Sequence, residues 1–352
     1  MFTLCVMNEY VWGNQETQYF YELNPIMVLE AIEAVGLATT GRCLPLNSME
    51  NRVYEIELNQ PLGKNDSPSD SYVVAKFYRP GRWSESQILD EHQFLLDLNS
   101  NEIPVIAPLV INGKTLFKIK DHDLLYTIFP KQGGRNPDEL DEEQLEQIGR
   151  LLGRIHSVGK SKVSDHRITI SPHSFGTQNI SFLDKSNAIP SLINNQYLDM
   201  AHEIVELMTP LFENIDYHRI HGDCHAGNIL HKDSGFFFVD FDDMLNGPAV
   251  QDVWLIIPGV DHRSKQDRLI LLEAYETMCD FNYQSLKLIE PLRTLRFIHF
   301  SAWLTKRWED PSFKIAFPHF ASDDYWNIGL RDLIDQKKLI EDIINPSPYR
   351  GH

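Results

Sequence analysis

The densest chemistry in this 352-residue chain is the run His221-Gly222-Asp223-Cys224-His225-Ala226-Gly227-Asn228-Ile229-Leu230, followed twelve residues after Asn228 by Asp240 at the end of an apolar stretch. A carboxylate near an acceptor hydroxyl can take its proton. An Asn oxygen and a second carboxylate can share Mg²⁺, a hard cation that prefers oxygen ligands and bridges nucleotide phosphates. Taken singly, Asp223 and Asn228 read as turn residues and Asp240 as a strand-end cap; together at this spacing they read as a phosphoryl-transfer constellation. A second pair lies upstream. Tyr72 to Tyr78 places Lys76 inside an otherwise apolar strand, and the helix that follows carries Glu91 between Ile88 and Leu95 on its inward side. Breaking a buried ion pair typically costs about 3–5 kcal/mol, so opposite charges on facing inward surfaces want each other. Alone the pair reads as a stabilising salt bridge. Beside the downstream loop it reads as a lysine that neutralises nucleotide phosphates and a glutamate that positions it.

Elements must deliver these side chains. Asn24 is a good N-cap and Pro25 suits the first helical position, with Ile26, Leu29, Ile32 and Val35 at helical spacing until Gly36. Strands are predicted over Arg52 to Leu58 and Tyr72 to Tyr78, a hairpin with a long turn-rich loop from Gln60 to Ser71. Ser84 with Gln87 makes a capping box that opens the helix carrying Glu91. Short strands around Thr115 to Ile119 and Leu124 to Phe129 precede the Pro130-Lys131-Gln132-Gly133-Gly134 break, the expected lobe boundary. Helices follow over Glu142 to His156, Leu198 to Phe212, Asp267 to Cys279, Ser285 to Trp308 and Asp323 to Ile344, interrupted by one β signal, Gly235 to Phe241. Residues 1–24 form an unassigned extension, 25–130 a small β-rich nucleotide-binding N-lobe and 131–352 a larger helical catalytic and acceptor-binding C-lobe. This is an α+β architecture with a cleft between lobes, a favoured place for small ligands. Asp242 and Asp243 could be added to the metal site, but strand alternation turns Phe241 away and the chain then leaves the strand, so a solvated or capping role reads equally well and they are not taken as ligands. His156 reads as a satisfied core histidine and Cys224 as a small, partly buried thiol.

The composition, 42% hydrophobic, 11% aromatic and 23% charged, excludes disordered, collagenous and coiled-coil classes. With 50 acids against 32 bases the net charge is −18, which argues against nonspecific nucleic-acid or anionic-membrane binding. Cys5, Cys43, Cys224 and Cys279 make no CxxC pair, so reduced thiols in a cytoplasmic, monomeric protein is the expectation. No Lys or Arg precedes Arg42 and no apolar run approaches ~18 residues, so neither a signal peptide nor a membrane span is expected.

The ordered motifs closely resemble the bacterial stress response kinase A family, within the aminoglycoside and choline phosphotransferases that share the protein-kinase-like fold. The resemblance rests on Leu46 to Tyr54, on Val74 to Trp83 with its helix through Leu98, on His221 to Leu230, on Val239-Asp240-Phe241-Asp242-Asp243, on Asn246 to Asp252 and on Ile289 to Arg293, from about Pro25 to Trp326. It implies that Asp223 is the catalytic base, Asn228 and Asp240 the magnesium ligands, Asp240 thereby also catalytic, Lys76 the phosphate-binding lysine, Glu91 its partner, and Asp252 the brace of the catalytic loop. It implies ATP as co-substrate and a protein Ser/Thr, or else a small hydroxylated molecule, as acceptor. Departures from ordinary protein kinases are plain: there is no GxGxxG, His-Gly-Asp stands for His-Arg-Asp, and Asp-Phe-Asp for Asp-Phe-Gly. The segment Asn47 to Asn51 must then cover the phosphates without glycine, and control through a phosphorylated activation loop is not expected.

Two other readings compete. His221, Asp223 and His225 alternate and with Asp240 could bind a transition metal, as in a phosphohydrolase, but that leaves Lys76 and Glu91 without a task. A noncatalytic nucleotide-binding module is opposed by the intact set Lys76, Asp223, Asn228 and Asp240.

Overall fold

The computed structural model describes residues 23–346 apart from 64–66, 121, 138 and 233–234. All but the last two residues of the unassigned extension, Cys5 included, lie outside the described residues. In chain order the elements are α1 (Pro25–Ala34), β1 (Thr39–Leu46), β2 (Arg52–Leu58), β3 (Tyr72–Phe77), α2 (Glu85–Ser100), β4 (Phe117–Lys118), β5 (Leu125–Pro130), α3 (Glu142–Gly159), α4 (Gln178–Ser186), α5 (Asn194–Met208), β6 (His218–Ile220), β7 (Ile229–Lys232), β8 (Gly235–Phe238), β9 (Leu245–Gly247), α6 (Val250–Ile256), α7 (His262–Glu276), α8 (Ile289–Arg307), α9 (Pro311–Ala316) and α10 (Asp323–Ile344). The class is α+β, as expected. None of the described helices is long and apolar enough to cross a membrane.

The described residues fall into two compact units, 23–167 with 218–281, and 168–217 with 282–346; the expected change of lobe after Pro130 lies inside the first. That first unit holds an antiparallel sheet in the order β1-β2-β3-β5-β4. Val73, Ala75 and Phe77 of β3 pack with Val28 and Ile32 of α1. The two-residue period of a strand therefore turns Lys76 to the other face, in register between Val53 of β2 and Thr127 of β5. Ser84 and Gln87 form the expected capping box, and Asn24 caps α1. In the same unit α3 packs on α7 through glycines, where a Cβ on Gly153 would stand 2.6 Å from the Tyr275 carbonyl and one on Gly149 would meet that of Leu271.

The second unit packs α4, α5, α8 and α10 around Ile204, Leu295, Ile298 and Leu333, with Tyr197 set edge-on to Trp326 at 5.4 Å.

Three expectations need correction. Strand β1 went unpredicted because Thr39–Leu46 has almost no inward face, contains Gly41 and Pro45 and is irregular in register between Thr39 and Cys43, as suits a bulged edge. The short pairs β6–β9 and β7–β8 lie where only one strand was expected, since segments of three or four residues carry no readable period. The strand expected to run to Phe241 stops at Phe238; Asp240 is left-handed (φ 60°, ψ 63°) and Phe241–Asp243 form a tight turn.

Candidate active site

All the chemistry-bearing residues lie in the first unit. β6 delivers the chain to His221 and Gly222, whose φ of +85° and close approach to the Asp243 carbonyl both require glycine. The buried Asp252 carboxylate accepts from His221 N and Gly222 N, each at 2.9 Å, and meets His156 Nε2 at 3.0 Å. His156 in turn lies 3.0 Å from the Tyr275 hydroxyl, a satisfied core histidine. His221 Nε2 faces the Val239 carbonyl at 2.9 Å, which fixes it as the protonated nitrogen and leaves Nδ1 to accept from Asp223 N. Asn228 Nδ2 donates to the Asp223 carbonyl at 2.9 Å, and Asn136 Nδ2 clamps the same turn through the carbonyls of Gly227 and Ile229 at 2.7 and 3.0 Å. Asp223 and Asn228 are thus held on one rigid turn, with His225 Nε2 3.5 Å from Asp223 Oδ2.

Across from it, Lys76 Nζ lies 2.7 Å from Asp242, 3.5 Å from Glu91 and 3.8 Å from Asp240. The structure brings together three of the expected partners and adds Asp242. That residue is the main correction at this site: it is buried, not solvated, because the turn after Asp240 swings it inward onto Lys76 and Arg82. Arg82 also reaches Asp243 at 2.6 Å. Glu91 is held from its other side by Arg167, Nη2 to Oε2 at 3.0 Å. Both ends of the Asn51 carboxamide are engaged, Nδ2 with Asp242 at 3.2 Å and Oδ1 by the Arg79 amide at 3.2 Å. Its side chain is therefore a strut between the Asn47 to Asn51 segment and the Asp242 turn. Sequence reasoning missed Asp242, Arg82 and Arg167; the one available signal was the arginine-rich Arg79-Pro80-Gly81-Arg82-Trp83 stretch.

Burial alone would strip Lys76 of its proton, but Asp242, Glu91 and Asp240 outweigh it and keep the ammonium charged. Burial would likewise raise Asp242, and the Arg82 and Lys76 charges hold it well below the ordinary carboxylate range. Asp243 goes the other way: withdrawal from water together with Asp242, Asp223 and Asp240 pushes it up to about 6 despite Arg82. The Asp240 carboxylate, 61% exposed, and the Asn228 amide oxygen are oxygen donors that would suit a hard cation. Among the described residues no three His, Cys, Asp or Glu side chains gather as a self-sufficient metal cage. A cation at Asn228 and Asp240 would complete its shell with phosphate or water, as Mg²⁺ does. The transition-metal reading also loses His221, whose two ring nitrogens are both engaged with the backbone. Cys224 is fully buried, more than expected, and burial ahead of Asp252 and Asp223 raises its thiol well above the usual value, so it is unreactive.

An α+β phosphotransferase is the class that this fold and the following likenesses define. The phosphotransferase enzyme family (APH) matches residues 43–289. Stress response kinase A of Escherichia coli (strain K12) is 37% identical over 330 residues, covering 94% of this chain and 97% of that one. The relative called serine/threonine protein kinase RdoA, from Salmonella typhimurium (strain LT2), is 37% identical over 331 residues with the same coverage. The chain belongs to the phosphotransferase enzyme family, in its stress response kinase A group. Among solved structures it is similar in fold to amicoumacin kinase hAmiN in complex with AMP-PNP, Ca²⁺ and Ami, with a TM-score of 0.68 at 20% identity over 90% of this chain and 94% of that one. Choline kinase LicA from Streptococcus pneumoniae gives a TM-score of 0.59 at 14% identity over 88% and 98%.

Proposed function

We propose that this phosphotransferase moves the γ-phosphoryl group of ATP, with Mg²⁺, to Ser or Thr hydroxyls of proteins. The observation that carries the acceptor class is the 37% identity, over 94% of the chain, to a relative called a serine/threonine protein kinase. Asp223 is the base. It takes the proton of the acceptor hydroxyl as that oxygen bonds to the γ-phosphorus and the bond to the β–γ bridging oxygen breaks, releasing ADP. Lys76 binds the phosphates and Glu91 positions it. Asn228 and Asp240 would hold Mg²⁺, which would supply positive charge to offset that of the nucleotide phosphates. Any contact of Asn51 itself with the phosphates falls to its backbone, because its carboxamide is already engaged with Asp242 and the Arg79 amide. Asp252 holds the backbone on which Asp223 rides.

The test is incubation with ATP and Mg²⁺, alone and with a cell extract, followed by phosphosite mass spectrometry. New phosphoserine or phosphothreonine on this protein or on extract proteins is the expected result. ATP turnover that instead requires only a low-molecular-weight fraction would assign a small-molecule acceptor, the class named for amicoumacin kinase and choline kinase, whose fold this chain shares.

A further inference from the structure

Arg167 lies outside every motif that points to phosphoryl transfer, yet its side chain is fully buried beside them. Each of its guanidinium nitrogens has a separate acceptor: Nε the Gln87 carbonyl at 2.7 Å, Nη1 the Asp242 carbonyl at 2.7 Å and Nη2 Glu91 Oε2 at 3.0 Å. Its plane lies 4.3 Å from the Trp83 ring. One planar fork thereby ties α2, which carries Glu91, to the turn that carries Asp240 and Asp242. The fork is itself held in place. Asp90 of α2 accepts from the backbone N of His166 and Arg167 at 2.9 and 3.3 Å and from the Ser164 hydroxyl. Asn246 of β9 exchanges two bonds with the Ser164 backbone, at 3.2 and 2.9 Å, and reaches the Arg167 carbonyl at 3.3 Å. Such preorganisation exceeds what neutralising one glutamate requires, and the single ammonium of a lysine lacks the planar fork that spans these three separated acceptors.

We infer that Arg167 is a positioning residue of the phosphoryl-transfer site: through Glu91 it sets Lys76, and through the Asp242 backbone it sets the turn that presents Asp240. The inference rests on the nucleotide reading proposed above. Arg167 touches no reacting atom, so its removal acts on how well the site holds nucleotide, and acts largely by way of Glu91.

Calorimetry with Mg²⁺–ADP on the full chain tests it, comparing the unaltered protein, Arg167→Met, Glu91→Gln and the double variant. Arg268→Met serves as a control, because that buried arginine, on α7, bonds the Ile257 and Gly259 carbonyls in the segment between α6 and α7. Arg167→Met is expected to weaken binding at least tenfold and to add little in the Glu91→Gln background, the sign of two residues acting as one unit. Arg268→Met is expected to lower Tm without changing affinity. If Arg167→Met does not fold, Arg167→Lys replaces it, with the same tenfold loss expected. Unchanged affinity in either variant, or losses that multiply in full in the double variant, would overturn the inference. Absence of Mg²⁺–ADP binding by the unaltered protein would instead refute the nucleotide reading itself.

Discussion

Asp223 is half-buried, on a turn pinned by Asp252, Asn136 and Asn228, so its carboxylate is placed by backbone bonds that do not depend on its charge. Asp223→Asn is therefore expected to keep the fold and nucleotide affinity while lowering kcat by about 10²–10⁴-fold. Turnover like that of the unaltered protein would remove Asp223 as the base. Asp240 is 61% exposed in its side chain and touches Lys76 only at 3.8 Å, so little of its worth is structural. Asp240→Ala should weaken ADP binding when Mg²⁺ is present and hardly at all in EDTA; calorimetry showing equal loss in both conditions would count against a metal role. The Lys76–Glu91 pairing and the turn shared by Asp223 and Asn228 were legible in the sequence, because a charge in an apolar strand and polar groups crowding one loop depart from what folding alone favours. Arg82 and Arg167 were not. Their carboxylate partners lie 160 and 76 positions away, and local pattern carries no register between distant segments.

At the level of elements, the periodic pieces were the readable ones: β2 and α10 have the expected bounds, and the capping box opens α2 where Ser84 and Gln87 place it. Segments whose form is set by their neighbours were unreadable, among them the exposed edge β1 and the short strands β6 and β7 that frame the Asp223 turn. The α3–α7 contact belongs to this class too, since nothing local says that Gly149 faces a carbonyl of another helix. Its consequence is measurable. Gly149→Ala inserts a methyl against the Leu271 carbonyl and is expected to cost about 1–3 kcal/mol by overpacking. Denaturant unfolding should show the lower midpoint, while Mg²⁺–ADP affinity of the folded protein stays the same. An unchanged midpoint would mean the two helices separate at no cost.

The molecule as a whole carries 14 histidines, and two buried ones make its stability depend on acid. Burial, ahead of the Lys76 and Arg167 charges, depresses His92 to about 3; burial, ahead of His156 and Lys160, depresses His218 to about 2. In the unfolded chain both would take up protons near pH 6.5. The unfolded state thus binds more protons below that value, and stability falls as pH drops from 6.5 toward 3, by up to about 1.4 kcal/mol per pH unit for each site. Asp243 opposes this in part, since its raised pKa makes the folded state the better proton binder between about 4 and 6. Neither ring nitrogen of His218 has a hydrogen-bond partner, so His218→Leu strands nothing and should flatten the pH dependence of Tm between 6.5 and 4. An unaltered slope would show that His218 is protonated in the folded protein. The net charge of −18 bears on which partners approach. The most direct measurement is transfer of label from γ-³²P-ATP in the presence of Mg²⁺ to protein Ser or Thr, by the unaltered enzyme and by Asp223→Asn at equal nucleotide occupancy. Label on serine or threonine that disappears in Asp223→Asn is the predicted result; equal labelling by both proteins, or none by the unaltered enzyme with any extract protein, would contradict it.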